Sequence, residues 1–323
     1  MQTKQQNWFF GKQGRRIIGG SVLAIGLFGL LLGPVGVLGG SKNLYVDKDN
    51  HGREDGSKDH PYRTIDRALH RAKSGTRVFV AGGRYKENII LPKDVKLVGG
   101  KNKDDVIIEG SDAKPTVTMR NDSEIQKVTI KGGRHGIRVE ENAEAKIIRV
   151  TIKDSRRDGI HIDRGTLNKK DEVYIEKTEI KNSRLAGIFS EKRSVVILDT
   201  DILRNGDGLD LTAGVKAWIK DTRLNDNRGS GLKLVLDGAS FWSRDLSVRR
   251  NGREGAEINA YGAHGTIGFR EAAFIDNGRY GIAKVIRGQG GEVALRAVTL
   301  TTVRLEGNRN GAVSAPLWVQ TTK

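Results

Sequence analysis

Cysteine is absent from the 323 residues of the chain, which excludes disulfide bonds, thiolate metal ligands and a cysteine nucleophile. Hydrophobic residues make up only 37% of the sequence and aromatic residues 6%, so a wide globular core is not expected. Proline occurs five times, whereas glycine occurs 42 times without a collagen-like triplet. Because glycine punctuates turns, this composition favours a chain of many short elements.

Charged residues are missing from residues 17–40, IIGGSVLAIGLFGLLLGPVGVLGG, and about 20 apolar residues are enough for a helix to cross a bilayer. The leader before this segment, residues 1–16, has no acidic residue and contains the cations Lys4, Lys12, Arg15 and Arg16. Flanking cations stay on the cytoplasmic side. We therefore predict an uncleaved transmembrane anchor, with a cleavable signal peptide as the alternative. Residues 41–323 are predicted to be extracytoplasmic, at the cell surface or in the periplasm, or secreted if the segment is cleaved.

Positive charge dominates the chain, whose net charge of +17 falls to +13 once the four leader cations are set aside. Such an excess attracts anionic partners. For an exported chain, an acidic glycan, an anionic lipid or another cell-envelope polymer is a better candidate than nucleic acid, which is not expected.

One short phrase recurs eight times, as in RNGREGAEI (250–258) and DNGRYGIAK (276–284). Each copy contains a glycine followed by an alternating or nearly alternating stretch that is typical of a half-buried strand. The aligned glycines, 21 to 30 residues apart, are Gly136, Gly159, Gly187, Gly208, Gly231, Gly255, Gly281 and Gly311. Two further short strands fit into each repeat. Three short strands cannot enclose a core alone, so the repeats are predicted to stack as a parallel β-solenoid.

Asparagine recurs just before these glycines, and its amide can donate and accept hydrogen bonds along a stack of coils. We interpret this column as structural. Its predicted members are Asn182, Asn205, Asn227, Asn251, Asn277 and Asn308, with Ser155 in the same place one coil earlier.

Residues 64–75, TIDRALHRAKSG, predict one helix, because Thr64 suits an N-cap and Gly75 suits the C-terminal stop. We expect this helix to cover the open end of the first coil. The predicted domain organisation is then an opening segment with its cap helix, residues 41–76, and a β-helix over residues 77–323.

The opening segment YVDKDNHGREDGSKDHPYRTIDRALHRAKSGTRVFVAGGRYKENIILPKDVKLVGG (45–100) resembles that of right-handed parallel β-helix proteins of the pectin-lyase-like superfamily. The repeats that follow are similar to those of the superfamily as far as about residue 320. The resemblance implies right-handed coiling. It implies no single activity, because the superfamily contains lyases, hydrolases, epimerases, esterases, adhesins and accessory proteins. The predicted fold class is therefore all-β, a right-handed single-stranded parallel β-helix with a short N-terminal capping helix, preceded by one transmembrane helix.

Enzymes of this superfamily commonly carry their site on the outward face of the strand after the turn. Two carboxylates can act there as acid and base across a sugar, and histidine can abstract a proton. The candidate catalytic residues at this place are Asp158, His161, Asp163, Asp207, Asp210 and Lys233.

Two observations weaken the catalytic hypothesis. NGDGLDL (205–211) resembles the first acidic motif of polygalacturonase-type hydrolases, but the next repeat reads NRGSGLKL, where a paired acidic motif is expected. Signatures of pectate lyases and alginate epimerases are missing too. The interpretation we favour for Asp210, Lys233 and Glu257 is a ladder of alternating charge, worth roughly 0.2–1 kcal/mol per pair.

A metal site is not predicted. DKDNHGREDG (47–56) has the acidic residues of a calcium loop, but His51 replaces an oxygen ligand and Lys58 occupies the position that requires glutamate. We interpret the segment as turn chemistry and expect no cofactor, since calcium lacks a clear motif.

Arginine recurs two or three residues before the aligned glycines. A file of arginines about 4.8 Å apart could follow an extended polyanion and bind its carboxylates or phosphates. Alternatively, Asp158, Asp207, Asp226, Glu254 and Asp276 could neutralise the file in place. The candidate binding residues are Arg134, Arg157, Arg184, Arg228, Arg253, Arg279 and Arg309.

The sequence as a whole predicts a membrane-anchored exported β-helix that binds an acidic polysaccharide or cell-envelope polymer in a surface-structural or carbohydrate-binding role. The alternative is a lyase, hydrolase or epimerase that acts on uronic-acid polymers. The C-terminus shows no helical pattern that would cap the last coil, so an oligomer formed through that end is a further hypothesis.

Overall fold

Short parallel strands build three faces that follow one another around each coil of a β-solenoid. The computed structural model describes residues 43–167, 171–259, 265–285, 298–314 and 319–322. Every strand pairs in parallel with its counterpart one coil away. The predicted solenoid of three-stranded repeats is therefore confirmed.

Two of the three faces share strands. The first face is formed by Asn43–Val46, Arg77–Val80, Lys96–Val98, Ser123–Gln126, Ala145–Ile148, Val173–Glu176, Ser194–Leu198, Lys216–Asn225, Ser240–Arg249, Thr266–Arg270, Val298–Thr301 and Val319–Thr322. The second face is formed by Gly83–Tyr85, Val106–Gly110, Thr129–Gly132, Thr151–Lys153, Glu179–Lys181, Asp201–Leu203, Ala273–Ile275 and Arg304–Glu306, with the second halves of the two ten-residue strands of the first face.

The third face carries the strands that follow the recurring glycines. It is formed by Ile89–Leu91, Val117–Met119, Ile137–Val139, Ile160–Ile162, Ala186–Glu191, Asp207–Thr212, Leu232–Val235, Ala256–Asn259, Tyr280–Val285 and Gly311–Val313.

Alternation fixes the register of these faces. Ile160 and Ile162 are fully buried, whereas His161 between them points outward. A shift by one residue would exchange the two sets, so the pattern permits only one alignment of neighbouring coils. Aliphatic side chains from each face consequently stack in one continuous hydrophobic core that runs along the solenoid.

The recurring glycines allow neighbouring coils to approach closely. A Cβ at Gly159 would lie 2.4 Å from Cγ2 of Ile180 and 2.7 Å from the carbonyl oxygen of Gly187. Any larger residue would therefore push the next coil away.

Stacked amides connect the coils beside these glycines. The backbone N–H of Asn205 donates to Oδ1 of Asn227 at 2.9 Å, and the same contact links Asn227 to Asn251 and Asn251 to Asn277. Asn182 was assigned to this column wrongly, because it is exposed and donates to Asp154. Ser183 takes its place, since its N–H donates to Oδ1 of Asn205.

The helix predicted near residue 64 spans Ile65–Arg71. Thr64 is its N-cap and accepts a hydrogen bond from the N–H of Arg67, which satisfies one of the free donors at the helix start. Ile65 and Leu69 are buried against the core. Its role as the cap of the first coil stays a prediction.

The expectation of a membrane-anchored protein is corrected. The segment to which it was assigned, residues 17–40, lies outside the described residues. Within the part of the chain that the structure describes, no helix is long and apolar enough to cross a bilayer; Ile65–Arg71 has only seven residues. The C-terminal residues 315–318 and 323, part of the hypothesis of pairing through that end, are also outside the described ranges.

Candidate functional site

The outward column of the third face places six polar or aromatic side chains in register. Arg138 pairs with His161, His161 with Phe189, and Phe189 with Asp210. Lys233 and Glu257 continue the column on the next two coils. These side chains share one surface of the solenoid because each lies between two buried residues of its strand, although Glu257 is itself buried.

A groove of about 540 Å³ lies along this surface. Most of the residues that were predicted from the sequence to be catalytic line this groove, and so do about half of the arginines that were predicted to bind a polymer. The groove is lined by Arg157, Asp158, His161, Arg184, Leu185, Ala186, Phe189, Gly206, Asp207, Asp210, Arg228, Gly229, Lys233 and Arg253. The nominated residues outside this lining are Asp163, Arg134, Arg279 and Arg309.

Asp158 is the most constrained carboxylate of the groove. Its Oδ2 lies 2.9 Å from Nδ1 of His161 and 3.2 Å from Nδ1 of His135, and its Oδ1 accepts the N–H of Ala186. Burial acts to raise the pKa of Asp158, but the two imidazoles outweigh that effect and hold the pKa at about 2. Asp158 is therefore an anion throughout the ordinary pH range.

His161 lies between two carboxylates. Its Nε2 is 3.4 Å from Oδ1 of Asp163, and Arg138 in turn holds Asp163 through contacts of 2.7 and 2.9 Å. The His161 ring also stacks on Phe189, with 4.8 Å between ring centroids. Asp163 thus contacts the Nε2 side of the His161 ring and holds its orientation. Asp163 itself does not line the groove.

Asp210 contrasts with both Asp158 and Asp207. The Nζ atom of Lys233 lies 2.6 Å from Oδ2 of Asp207, whose Oδ1 accepts the N–H of Ser230. Among the described residues, Asp210 has no hydrogen-bond or ion-pair partner. Burial is the main cause that raises the pKa of Asp210 to about 6; the nearby Lys233 lowers it only partly, and Asp207 and Asp158 raise it further.

The charge-ladder hypothesis describes the register correctly, since Lys233 lies between Asp210 and Glu257. The side chain of Lys233, however, turns to Asp207. Asp210 is left as a carboxyl group that can change its protonation state near pH 6, which suits general acid–base chemistry.

The nominated arginines form two rows. The backbone N–H of Arg157 donates to the carbonyl of Arg134, and that of Arg279 to the carbonyl of Arg253, so these four lie in one row. Arg184, Arg228 and Arg309 occupy the neighbouring row, one residue closer to the asparagine column, since each directly follows Ser183, Asn227 or Asn308. Gly206, Gly252 and Gly278 interrupt that row, and Leu185, Asp207 and Gly229 interrupt the other.

Neutralisation of these arginines is confined to one end of the groove. Glu254 lies 3.5 Å from Arg253 and 3.4 Å from Arg279, whereas Asp226 pairs with Arg250. In the described part of the chain, no carboxylate pairs with the remaining five, which are Arg134, Arg157, Arg184, Arg228 and Arg309. Arg228 donates instead to the carbonyls of Ser183, Arg184 and Arg204.

His135 is the site residue that the sequence analysis missed. It is buried, and its ring centroid lies 4.5 Å from that of His161. A signal was present, because His135 directly precedes Gly136 just as Asp158 precedes Gly159. The ligand atoms of His135, Asp158 and His161 lie within 4.8 Å of one another.

The predicted turn at residues 47–56 has short-range hydrogen bonds of the expected kind, such as the one that the N–H of Asp49 donates to Oδ1 of Asp47.

Three stacked parallel faces with a polar outward groove place this chain among the parallel β-solenoids. Residues 115–285, more than half of the chain, match the family model described as the right handed beta helix region. The chain therefore belongs to the right-handed β-helix family, and the predicted likeness to the pectin-lyase-like superfamily is confirmed.

Solved structures agree with this assignment at the level of the fold. The pectate lyase Pel9A is 12% identical, with a TM-score of 0.53 over 85% of this chain and 80% of that protein. A polygalacturonase from Erwinia carotovora ssp. carotovora is 13% identical, with a TM-score of 0.54 over 88% and 97% of the two chains. The Dettilon tailspike protein reaches a TM-score of 0.54 at 12% identity, over 84% and 60%. No curated protein sequence matches the chain significantly.

Proposed function

We propose that the groove binds an acidic polysaccharide that contains uronic acids and that Asp210 exchanges a proton with the bound sugar. The observation that carries the proposal is the position of Asp210. Its carboxyl group has a pKa of about 6 and lines the same groove as three arginines that lack a carboxylate partner among the described residues, Arg157, Arg184 and Arg228.

The arginines supply the affinity for the polymer. A guanidinium presents planar donors that match a carboxylate, and it stays charged at every relevant pH. Arg157 and Arg184 are exposed and lie on neighbouring coils. Each can therefore meet the carboxylate of a sugar residue laid along the groove.

Apolar groups complete the sugar site. Leu185 is 44% exposed at the groove, and Phe189 is held in place by its stack on His161. Sugar rings carry apolar C–H faces that pack against such surfaces. A polymer chain would thus be held by charge along its edge and by van der Waals contact on its face.

Above pH 6, Asp210 is a base that can remove a proton from carbon adjacent to the sugar carboxylate; below it, the same group is an acid. Removal of that proton, followed by delivery of a proton from solvent to the opposite face of the same carbon, is epimerisation. Loss of the neighbouring glycosidic oxygen instead forms a carbon–carbon double bond, which is lyase chemistry. Hydrolysis would use Asp210 as the acid that protonates the glycosidic oxygen.

Product analysis tests the proposal and separates these reactions. The full chain is incubated with pectate, alginate and a neutral glucan as control. Ultraviolet absorbance reports unsaturated ends from a lyase, a reducing-sugar assay reports hydrolysis, and incorporation of deuterium from D₂O reports epimerisation. We expect one signal on an acidic polymer that Asp210→Asn removes. The signal should be retained in Asp226→Asn, because Asp226 pairs with Arg250 and does not line the groove. Absence of all three signals on every acidic polymer rejects the acid–base role.

A binding module without catalysis is the second candidate. It is favoured by the arginines that extend beyond the groove, from Arg134 to Arg309. Retention on immobilised pectate or alginate, lost in Arg184→Gln with Arg228→Gln and accompanied by no product, would select this function. Retention equal to that of the unchanged chain would discard the arginines as the binding groups.

A further inference from the structure

His135, Asp158 and His161 form a cluster whose geometry goes beyond a role in polymer binding. Oδ2 of Asp158 is 3.2 Å from Nδ1 of His135 and 2.9 Å from Nδ1 of His161. Two ligands about 2.0–2.1 Å from a tetrahedral metal ion are separated by roughly 3.3–3.4 Å. Both of these separations are close to the spacing that one ion requires, and the ligand atoms of all three residues lie within 4.8 Å of one another.

The buried nitrogen of His135 is a second observation. The side chain is 8% exposed, and its Nδ1 makes no hydrogen bond of acceptable geometry to any described residue. A polar atom so buried is costly when it is unsatisfied. A cation between this nitrogen and the Asp158 carboxylate would satisfy the nitrogen.

The surroundings of His161 give a third observation. Its Nε2 faces Asp163 at 3.4 Å, and Arg138 fixes Asp163 at 2.7 Å. Histidines that bind metals usually direct their other ring nitrogen to a carboxylate, which fixes the tautomer and leaves the first nitrogen with its lone pair. Asp158 is oriented in the same way, because its Oδ1 accepts the N–H of Ala186.

We infer that His135, Asp158 and His161 form a binding site for one divalent transition-metal ion. Two imidazole nitrogens and one carboxylate oxygen suit Zn²⁺ and its first-row neighbours, whereas Ca²⁺ and Mg²⁺ prefer sites built from oxygen alone. Asp158 and His161 also line the groove, so the ion would lie at its wall.

Titration of the metal-free full chain with Zn²⁺ tests the inference without any polymer, so its outcome is independent of the proposed enzymatic function. We expect one ion per chain. His161→Ala should weaken binding about 100-fold or more because it removes a ligand. Asp163→Asn, which leaves all three ligands in place, should weaken it by roughly 10–100-fold. Ca²⁺ should not compete at equal concentration.

Two controls keep the test decisive. His51→Ala changes an exposed histidine of the opening segment and should bind Zn²⁺ as the unchanged chain does. Circular dichroism establishes that the His161 variant is folded, and the absorption spectrum of bound Co²⁺ reports nitrogen and oxygen ligands directly. Absence of stoichiometric binding, or binding that His161→Ala leaves unaltered, overturns the inference and leaves the cluster as a carboxylate between two imidazoles only.

Discussion

The Lys233 ammonium lies 2.6 Å from Oδ2 of Asp207 on the preceding coil, and not on Asp210, its own partner in the strand register. One lysine thus divides two neighbouring aspartates into different roles. Asp207 becomes half of an ion pair, whereas Asp210 keeps a carboxyl group with a pKa of about 6.

Replacement of Lys233 by Met is expected to raise the pKa of Asp210 still further. The lysine lowers that pKa through its charge, and its loss also leaves Asp207 as an unpaired anion nearby. We expect an upward change of about one unit, measured by NMR titration of carboxyl carbons with Asp210→Asn used for assignment. Lys220→Met, which changes an exposed lysine beside Asp221, should leave the titration unaltered. An unchanged pKa in Lys233→Met would refute the coupling.

Replacement of Asp210 by Asn is expected to stabilise the fold at neutral pH. The folded pKa of about 6 exceeds the ordinary value of 3.8, so the folded state binds more protons between these values and loses stability as pH rises through them. The gain from the substitution should be near zero below pH 4 and reach up to about 3 kcal/mol above pH 6.

Urea unfolding at pH 4, 6 and 8 measures this dependence. Asp226→Asn is the matched control, because Asp226 is paired with Arg250 at the surface and its loss should not produce a gain that grows with pH. A gain for Asp210→Asn that is the same at all three pH values would show that relief of a buried charge is not its cause.

Asn227 should be worth several times more to stability than Asn182. Asn227 is buried, its Oδ1 accepts the N–H of Asn205, and its Nδ2 donates to the carbonyl of Ile202 and to Asn251. Asn227→Ala leaves these groups unsatisfied, at a cost of about 2–4 kcal/mol. Asn182→Ala should cost only about 1 kcal/mol, since that residue is exposed and the change removes only its hydrogen bond to Asp154 and the tolerance of asparagine for a positive φ. Equal losses in urea unfolding would contradict the assignment of the column.

The sequence was sufficient to predict the stacking but not every member of a stack. Alternation identifies strands because the side-chain period is two, and the spacing of the glycines identifies the coils. The turn between them has no such period, so Asn182 was chosen by residue type. Ser183 lies four residues before Gly187, as Asn227 does before Gly231, whereas Asn205 lies three before Gly208, so the distance from the glycine does not identify every member of the column.

The site was predictable to a similar degree. Register placed His161, Asp210 and Lys233 on one surface, because each is the outward residue of its strand. The side-chain choices could not be predicted in this way. The side chain of Lys233 could have reached either Asp207 or Asp210. His135 contacts Asp158 because its side chain extends from the turn of one coil to the turn of the next.

Arg193 carries the last prediction, and nothing in the sequence marks it as special. The side chain is fully buried and donates to the carbonyls of Asp171 at 3.1 Å, Glu140 at 3.2 Å, Asp163 at 3.1 Å and Ala143. Burial lowers the pKa of the guanidinium. The planar set of N–H donors nevertheless connects Arg193 to backbone carbonyls of the two preceding coils.

Arg193→Met should lower the free energy of unfolding by about 3–5 kcal/mol, because it removes the donor shared by four backbone carbonyls, of which, among the described residues, only that of Glu140 keeps a further N–H, from Ala143. Arg193→Lys should recover only part of the loss, since an ammonium cannot reproduce the planar fork. Arg164→Met, which removes an exposed partner of Glu191, should change stability by no more than about 0.5 kcal/mol. If urea unfolding shows that Arg193→Met loses no more unfolding free energy than Arg164→Met, the guanidinium of Arg193 does not hold these coils together.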